Sequence, residues 1–88
     1  MSVTDLLQQA IQLAGGTETL LGKATGYSQN AIWQAKRRGH VTPEMARAIH
    51  WAFDGRIPAS SFRPDIWPTP DHVPPKPEDW APAERSVA

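Results

Sequence analysis

Residues 17–39 read TETLLGKATGYSQNAIWQAKRRG, and the punctuation of this stretch decides the fold. Thr17 and Ser28 are residue types whose side-chain oxygens cap helix N-termini. Gly26 and Gly39 are suited to the positive φ that ends a helix or opens a turn. The spacing therefore predicts helices over 18–25 and 29–38, the first with Leu20, Leu21 and Ala24 on its apolar side. Two short helices joined by a glycine-containing turn, the second one basic, form the pattern of a DNA-binding helix-turn-helix. Its tight angle needs a small residue in the first helix, a glycine in the turn and apolar residues inside. Gly22, Gly26, Leu21, Tyr27, Ile32 and Ala35 fill those positions, while Thr25 is less apolar than the pattern usually supplies. Because any antiparallel helix pair with a glycine turn shares this spacing, the flanking sequence matters.

Upstream, Leu6, Leu7, Ala10, Ile11, Leu13 and Ala14 recur at helical spacing. They predict an amphipathic helix over 5–14 with Thr4 as its N-cap and Gly15-Gly16 as its stop. Downstream, Thr42-Pro43-Glu44 combines a capping hydroxyl, proline at the first helical position and an acid favoured by the helix dipole. The helix it starts is expected to bury Met45, Ala46, Ile49, Ala52 and Phe53 and to stop at Asp54-Gly55. Ile57, Phe62, Ile66 and Trp67 then read as an apolar segment closing the core, with no period that assigns it to helix or strand. From residue 68 onward lie six of the nine prolines and hardly any aliphatic side chains. Residues 1–67 are thus expected to form one helical domain, and 68–88 a proline-rich tail that is extended or disordered unless it packs on something. In that tail Trp80 reads either as an anchor or as an incidental aromatic.

The 88-residue chain carries no net charge, yet the charges are segregated. Residues 20–63 hold seven Lys and Arg against two acids, whereas residues 1–19 sum to −2 and 64–88 to −3. A docking polyanion responds to the local field rather than to the total. Without cysteine, no disulfide or thiolate metal site is available. The three histidines, His40, His50 and His72, show no ligand spacing, so no metal or cofactor is expected. No nucleophile–base pair or phosphate-cradling loop is recognisable, and the expectation is a protein that is not an enzyme. Neither a secretory leader nor an apolar run of membrane-spanning length stands out, which predicts a soluble, cytoplasmic, nucleoid-associated protein with no membrane partner.

A helical projection of residues 28–38 separates two faces. Gln29, Trp33 and Arg37 fall within about 80° of one another, with Asn30 and Gln34 alongside, and Ile32, Ala35 and Ala31 opposite. The outer face suits a major groove: Gln and Asn pair bidentately with adenine, and Arg with guanine. Gln29, Asn30, Trp33, Gln34 and Arg37 are therefore the expected base-reading set. Lys23, Ser28, Lys36, Arg38 and Arg47 are expected to contact phosphates. Each residue also has a plainer reading. The Lys-Arg-Arg run suits a solvated helix C-terminus, and the amides suit ordinary surface. Trp33 has three open placements: the groove, a protein interface, or folded back onto the helix after Pro43. Trp51 is open between a dimer contact, a platform for the tail and partial core burial. Trp51, Trp67 and Trp80 are the expected dimer or partner contacts.

Residues 14–67, AGGTETLLGKATGYSQNAIWQAKRRGHVTPEMARAIHWAFDGRIPASSFRPDIW, resemble the YdaS-like and Cro/CI-type helix-turn-helix regulators of phages, prophages and toxin–antitoxin operons. The Ala-Gly-Gly opening, the Gly-Tyr-Ser turn, the R-x-G-x-V-x-P-E link and the terminal Arg-Pro-Asp-Ile-Trp carry the likeness. It implies an all-α, lambda-repressor-like bundle of four to five short helices followed by the proline-rich tail. It also implies a double-stranded DNA operator as partner, a homodimer on that DNA and a Cro-type or autoregulatory repressor. Mapped by position, Ser28, Gln29, Asn30, Trp33, Gln34 and Arg37 form the DNA-facing set. Relatives often carry tryptophan at the position of Ala35 and a small polar residue where Trp33 stands. The alternative function is an antitoxin or interaction module that binds a toxin or other protein through the tail.

Overall fold

The computed structural model describes residues 2–80, and every described element is helical or irregular. Five α-helices follow in order: α1 Val3–Ala14, α2 Glu18–Thr25, α3 Gln29–Arg38, α4 Pro43–Ala52 and α5 Ala59–Phe62, then a single 3-10 turn at Pro70–His72. The all-α bundle expected from the sequence is the one observed.

Local chemistry sets most boundaries. Thr17, Ser28 and Thr42 accept hydrogen bonds from the amides of Leu20, Ala31 and Met45, satisfying donors that a helix N-terminus otherwise leaves unpaired. Gly26 and Gly39 adopt left-handed conformations at the ends of α2 and α3. The first cap differs from expectation. Ser2, not Thr4, caps α1 by accepting from the Asp5 amide. The Thr4 hydroxyl instead donates to the Lys36 carbonyl at 3.1 Å, tying the start of α1 to the end of α3.

The core gathers Leu6, Leu7, Ala10 and Ile11 of α1, Leu21 of α2, Ile32 and Ala35 of α3, and Met45, Ala46 and Ile49 of α4. Ile57, Ala59, Phe62 and Trp67 close it from the C-terminal side. Helices α2 and α3 pack on each other and both on α1, while α5 packs on α1 and α4. Several expected core positions lie further out. Leu13, Leu20 and Ile66 are exposed, and Ala52 and Phe53 are half-buried. In place of Leu20, Thr25 is buried completely. Its hydroxyl donates to the Leu21 carbonyl at 2.8 Å, so the polar atom is satisfied within its own helix.

The α2–α3 angle rests on Gly22. A β-carbon there would lie 2.3 Å from the Tyr27 carbonyl oxygen. The Gly22 carbonyl in turn accepts from the amides of Gly26 and Tyr27, at 2.7 and 2.9 Å. The absence of a side chain thus lets α2 pass directly against the backbone of the turn.

The proline-rich segment does pack on something. Residues 68–80 return along the bundle, with Val73 buried in the core cluster. The Trp51 indole donates to the Pro74 carbonyl at 2.9 Å, and the rings of Trp51 and Trp80 meet edge to face with centroids 5.7 Å apart. Lys76 lies 3.7 Å from Asp54 and over the Trp80 ring. These contacts replace the aliphatic side chains that the segment lacks. Residues 81–88 of the expected tail lie outside the described residues.

Candidate nucleic-acid interface

Helix α3 turns Ile32 and Ala35 into the core and leaves Gln29, Asn30, Trp33, Arg37 and Arg38 exposed. Trp33 is 41% exposed, so the core is not its place. The Arg37 guanidinium lies over its ring, 5.3 Å from the centroid. A guanidinium held this way keeps its in-plane N–H donors available, because the contact uses its face. Gln29, Trp33 and Arg37 form one file at four-residue spacing along the outer surface.

The file is buttressed by a residue that sequence reading did not single out. Glu18, at the first position of α2, accepts from the Gln29 side-chain Nε2 at 3.1 Å through one carboxylate oxygen. Its other oxygen faces the Lys36 ammonium at 3.4 Å. The positive end of α2 favours a carboxylate at this point. In the sequence Glu18 carries only the signature of a first-turn acid; its pairing across 11 and 18 residues is tertiary and has no local signal. A recess of about 250 Å³ between Glu18, Thr4, Lys36, Trp33 and Arg37 runs beside the file.

The remaining expected residues fall into distinct places. Lys23 is exposed on α2, and Ser28 is half-buried, with its hydroxyl committed to the α3 cap. Gln34 is half-buried and lines a second recess of about 270 Å³ with Tyr27, Arg38, His40 and Met45. Arg47 is not gathered with the α3 set. Its guanidinium lies over the Trp51 ring at 5.8 Å, with Nε enclosed and, among the described residues, without a hydrogen-bond partner. Arg63, counted in the basic segment, is spent structurally. It grips Asp65 through two hydrogen bonds and donates to the Val41 carbonyl, fixing the α3–α4 link. The Arg63 hydrogen bonds hold the Asp65 carboxyl below its ordinary range.

The three tryptophans expected at a partner surface separate. Trp67 is 7% exposed and belongs to the core, which corrects its assignment as a contact. Of the two placements the sequence offers for it, the apolar segment closing the core and a partner surface, the first is the one observed. Trp51 and Trp80 are half-buried against each other, so Trp51 is the platform for the returning segment.

Fold and site together define a small helical protein built on a helix-turn-helix with a polar, aromatic and basic outer face. The family model described as bacterial toxin YdaS matches residues 7–71, and the chain belongs to that family. It is accordingly a toxin–antitoxin-like or regulatory small protein. No curated protein and no solved structure matches the chain. Among the described residues no helix is long and apolar enough to cross a membrane.

Proposed function

We propose that this protein is a sequence-specific DNA-binding regulator that reads an operator major groove with α3. The observation that carries the reading is the outer file of α3: an amide, an indole and a guanidinium stand exposed on a helix whose opposite side anchors it in the core. Gln29 and Arg37, with Asn30 and Gln34 beside them, match the hydrogen-bond patterns of adenine and guanine edges. Lys23, Lys36 and Arg38 surround the file as phosphate contacts, with Ser28 at the α3 N-terminus. A homodimer reading two half-sites about 34 Å apart fits this arrangement. In this reading the protein is a Cro-type or autoregulatory repressor acting at the nucleoid, without catalytic activity.

The test is binding to DNA upstream of its own coding sequence across a salt series. Arg37→Ala is expected to cost about 1–3 kcal/mol and to relax preference at one base pair. Lys36→Ala is expected to weaken all sequences alike and to reduce the salt slope by about one. No sequence-preferring, salt-sensitive binding there would overturn the operator assignment.

A second, protein-directed reading is favoured by the Trp51–Trp80 clasp and by the family's description as a toxin. Here the 68–80 segment, or the α4 surface beneath it, engages a toxin or another protein partner. If overexpression arrests growth, Arg37→Ala abolishes the arrest under the DNA reading and leaves it intact under the protein reading.

A further inference from the structure

The exposed indole of Trp33 carries more than an orienting role. We propose that the Trp33–Arg37 stack reads a two-base step, 5′-thymine–guanine-3′, as one unit. The inference rests on the DNA reading of α3 given above and specifies what that face recognises.

Trp33 and Arg37 are four residues apart, and the guanidinium carbon lies 5.3 Å from the indole centroid. The two groups occupy adjacent levels of one file, as two stacked bases do in a strand. Held over the ring, Arg37 has its fork of N–H donors free for guanine O6 and N7, and it has fewer rotamers to lose on docking. The indole beside it is 41% exposed, an apolar surface at the base of a charged fork. In right-handed DNA the C5 position of the pyrimidine 5′ to a guanine lies next to that guanine's N7. A methyl group at C5 is the apolar feature of the major groove that such a surface can cover. Glu18 engages Gln29 on one side and Lys36 on the other, which draws both towards α2.

The experiment begins with a duplex selected by the full chain from a random pool. Each thymine is then replaced by uracil, which lacks only the C5 methyl, and each guanine by 7-deazaguanine, which lacks the N7 acceptor. Wild-type protein is expected to lose about four-fold in affinity at one thymine, the effect of one buried methyl. It is expected to lose about ten-fold at the guanine on its 3′ side. In Trp33→Ala, checked for native helicity and melting, the uracil effect disappears while the deazaguanine effect persists; in Arg37→Ala the deazaguanine effect disappears. Trp33→Phe, which keeps an aromatic face, retains part of the uracil effect. Uracil effects absent from every position, or unchanged in Trp33→Ala, overturn the two-base assignment while leaving DNA binding intact. A selection that enriches no duplex overturns the DNA reading and this assignment with it.

Discussion

Substitution of Gly22 by alanine probes the joint on which the candidate site depends. The added β-carbon would lie 2.3 Å from the Tyr27 carbonyl oxygen, whereas real β-carbons essentially never approach within 3.0 Å. The turn must therefore retreat from α2 by at least 0.7 Å, the difference between those distances. The contacted atom is backbone, so no flexible side chain can yield. Retreat also strains the hydrogen bonds from Gly26 and Tyr27 to the Gly22 carbonyl. Overpacking of this kind costs about 1–3 kcal/mol, and each weakened hydrogen bond about 1 kcal/mol more. Alanine's better helix propensity returns about 1 kcal/mol. The net loss is about 2–4 kcal/mol, and its lower end alone corresponds to a fall in Tm of about 8–16 °C for a domain of this size. Thermal melting by circular dichroism provides the assay, with Lys23→Ala, one residue along and exposed, as control. A Gly22→Ala melt within about 2 °C of wild type would show that α2 does not press on the turn.

Three further outcomes follow from named contacts. Glu18→Gln releases the charge pairing with Lys36 and removes a negative charge beside the α3 file; DNA affinity should rise several-fold and the salt slope steepen, while stability changes by less than about 1 kcal/mol. Weaker binding by this variant would show that Glu18 serves the interface by positioning Gln29. The Ala59 amide donates to His50 Nδ1 at 3.1 Å, and burial lowers the His50 pKa below 6.5. The unfolded chain then takes up the proton first, so the His50 contribution is full above about pH 6.5 and is lost as pH falls through the lowered folded value. Urea titrations of wild type and His50→Phe should diverge above that pH and converge in acid; parallel profiles would contradict this. Trp51→Ala and Trp80→Ala should each cost about 1–2 kcal/mol, with a coupling energy of about 0.5–1.5 kcal/mol in the double-mutant cycle. Strict additivity would mean that the edge-to-face contact contributes nothing in solution.

Helices α2, α3 and α4 were legible because their ends are set by residues adjacent in sequence. Thr17, Ser28 and Thr42 cap as their chemistry predicts, and Gly26 and Gly39 stop α2 and α3. The division of α3 into an inner side at Ile32 and Ala35 and an outer side at Trp33 followed from helical period alone. What escaped was tertiary. Thr4 gave up a capping role for the Lys36 carbonyl, 32 residues away. Thr25 entered the core because its hydroxyl bonds the preceding turn, leaving Leu20 outside. The 68–80 segment looked too poor in aliphatic residues to pack. It is held by the single aliphatic Val73 together with a proline carbonyl and an indole, two groups that a count of aliphatic side chains overlooks. Within the candidate site the exposed file was visible beforehand, whereas the Glu18 buttress was not.

The central claim, that α3 is the surface presented to DNA, is tested most directly by backbone amide shift mapping of the protein with its selected duplex. The account predicts the largest perturbations over residues 28–38, extending to Glu18 and Lys23, with residues 47–54 and 68–80 little changed. Perturbations centred on Trp51, Asp54 and Trp80, with α3 unmoved, would contradict it and place the working surface on α4 and the segment that covers it.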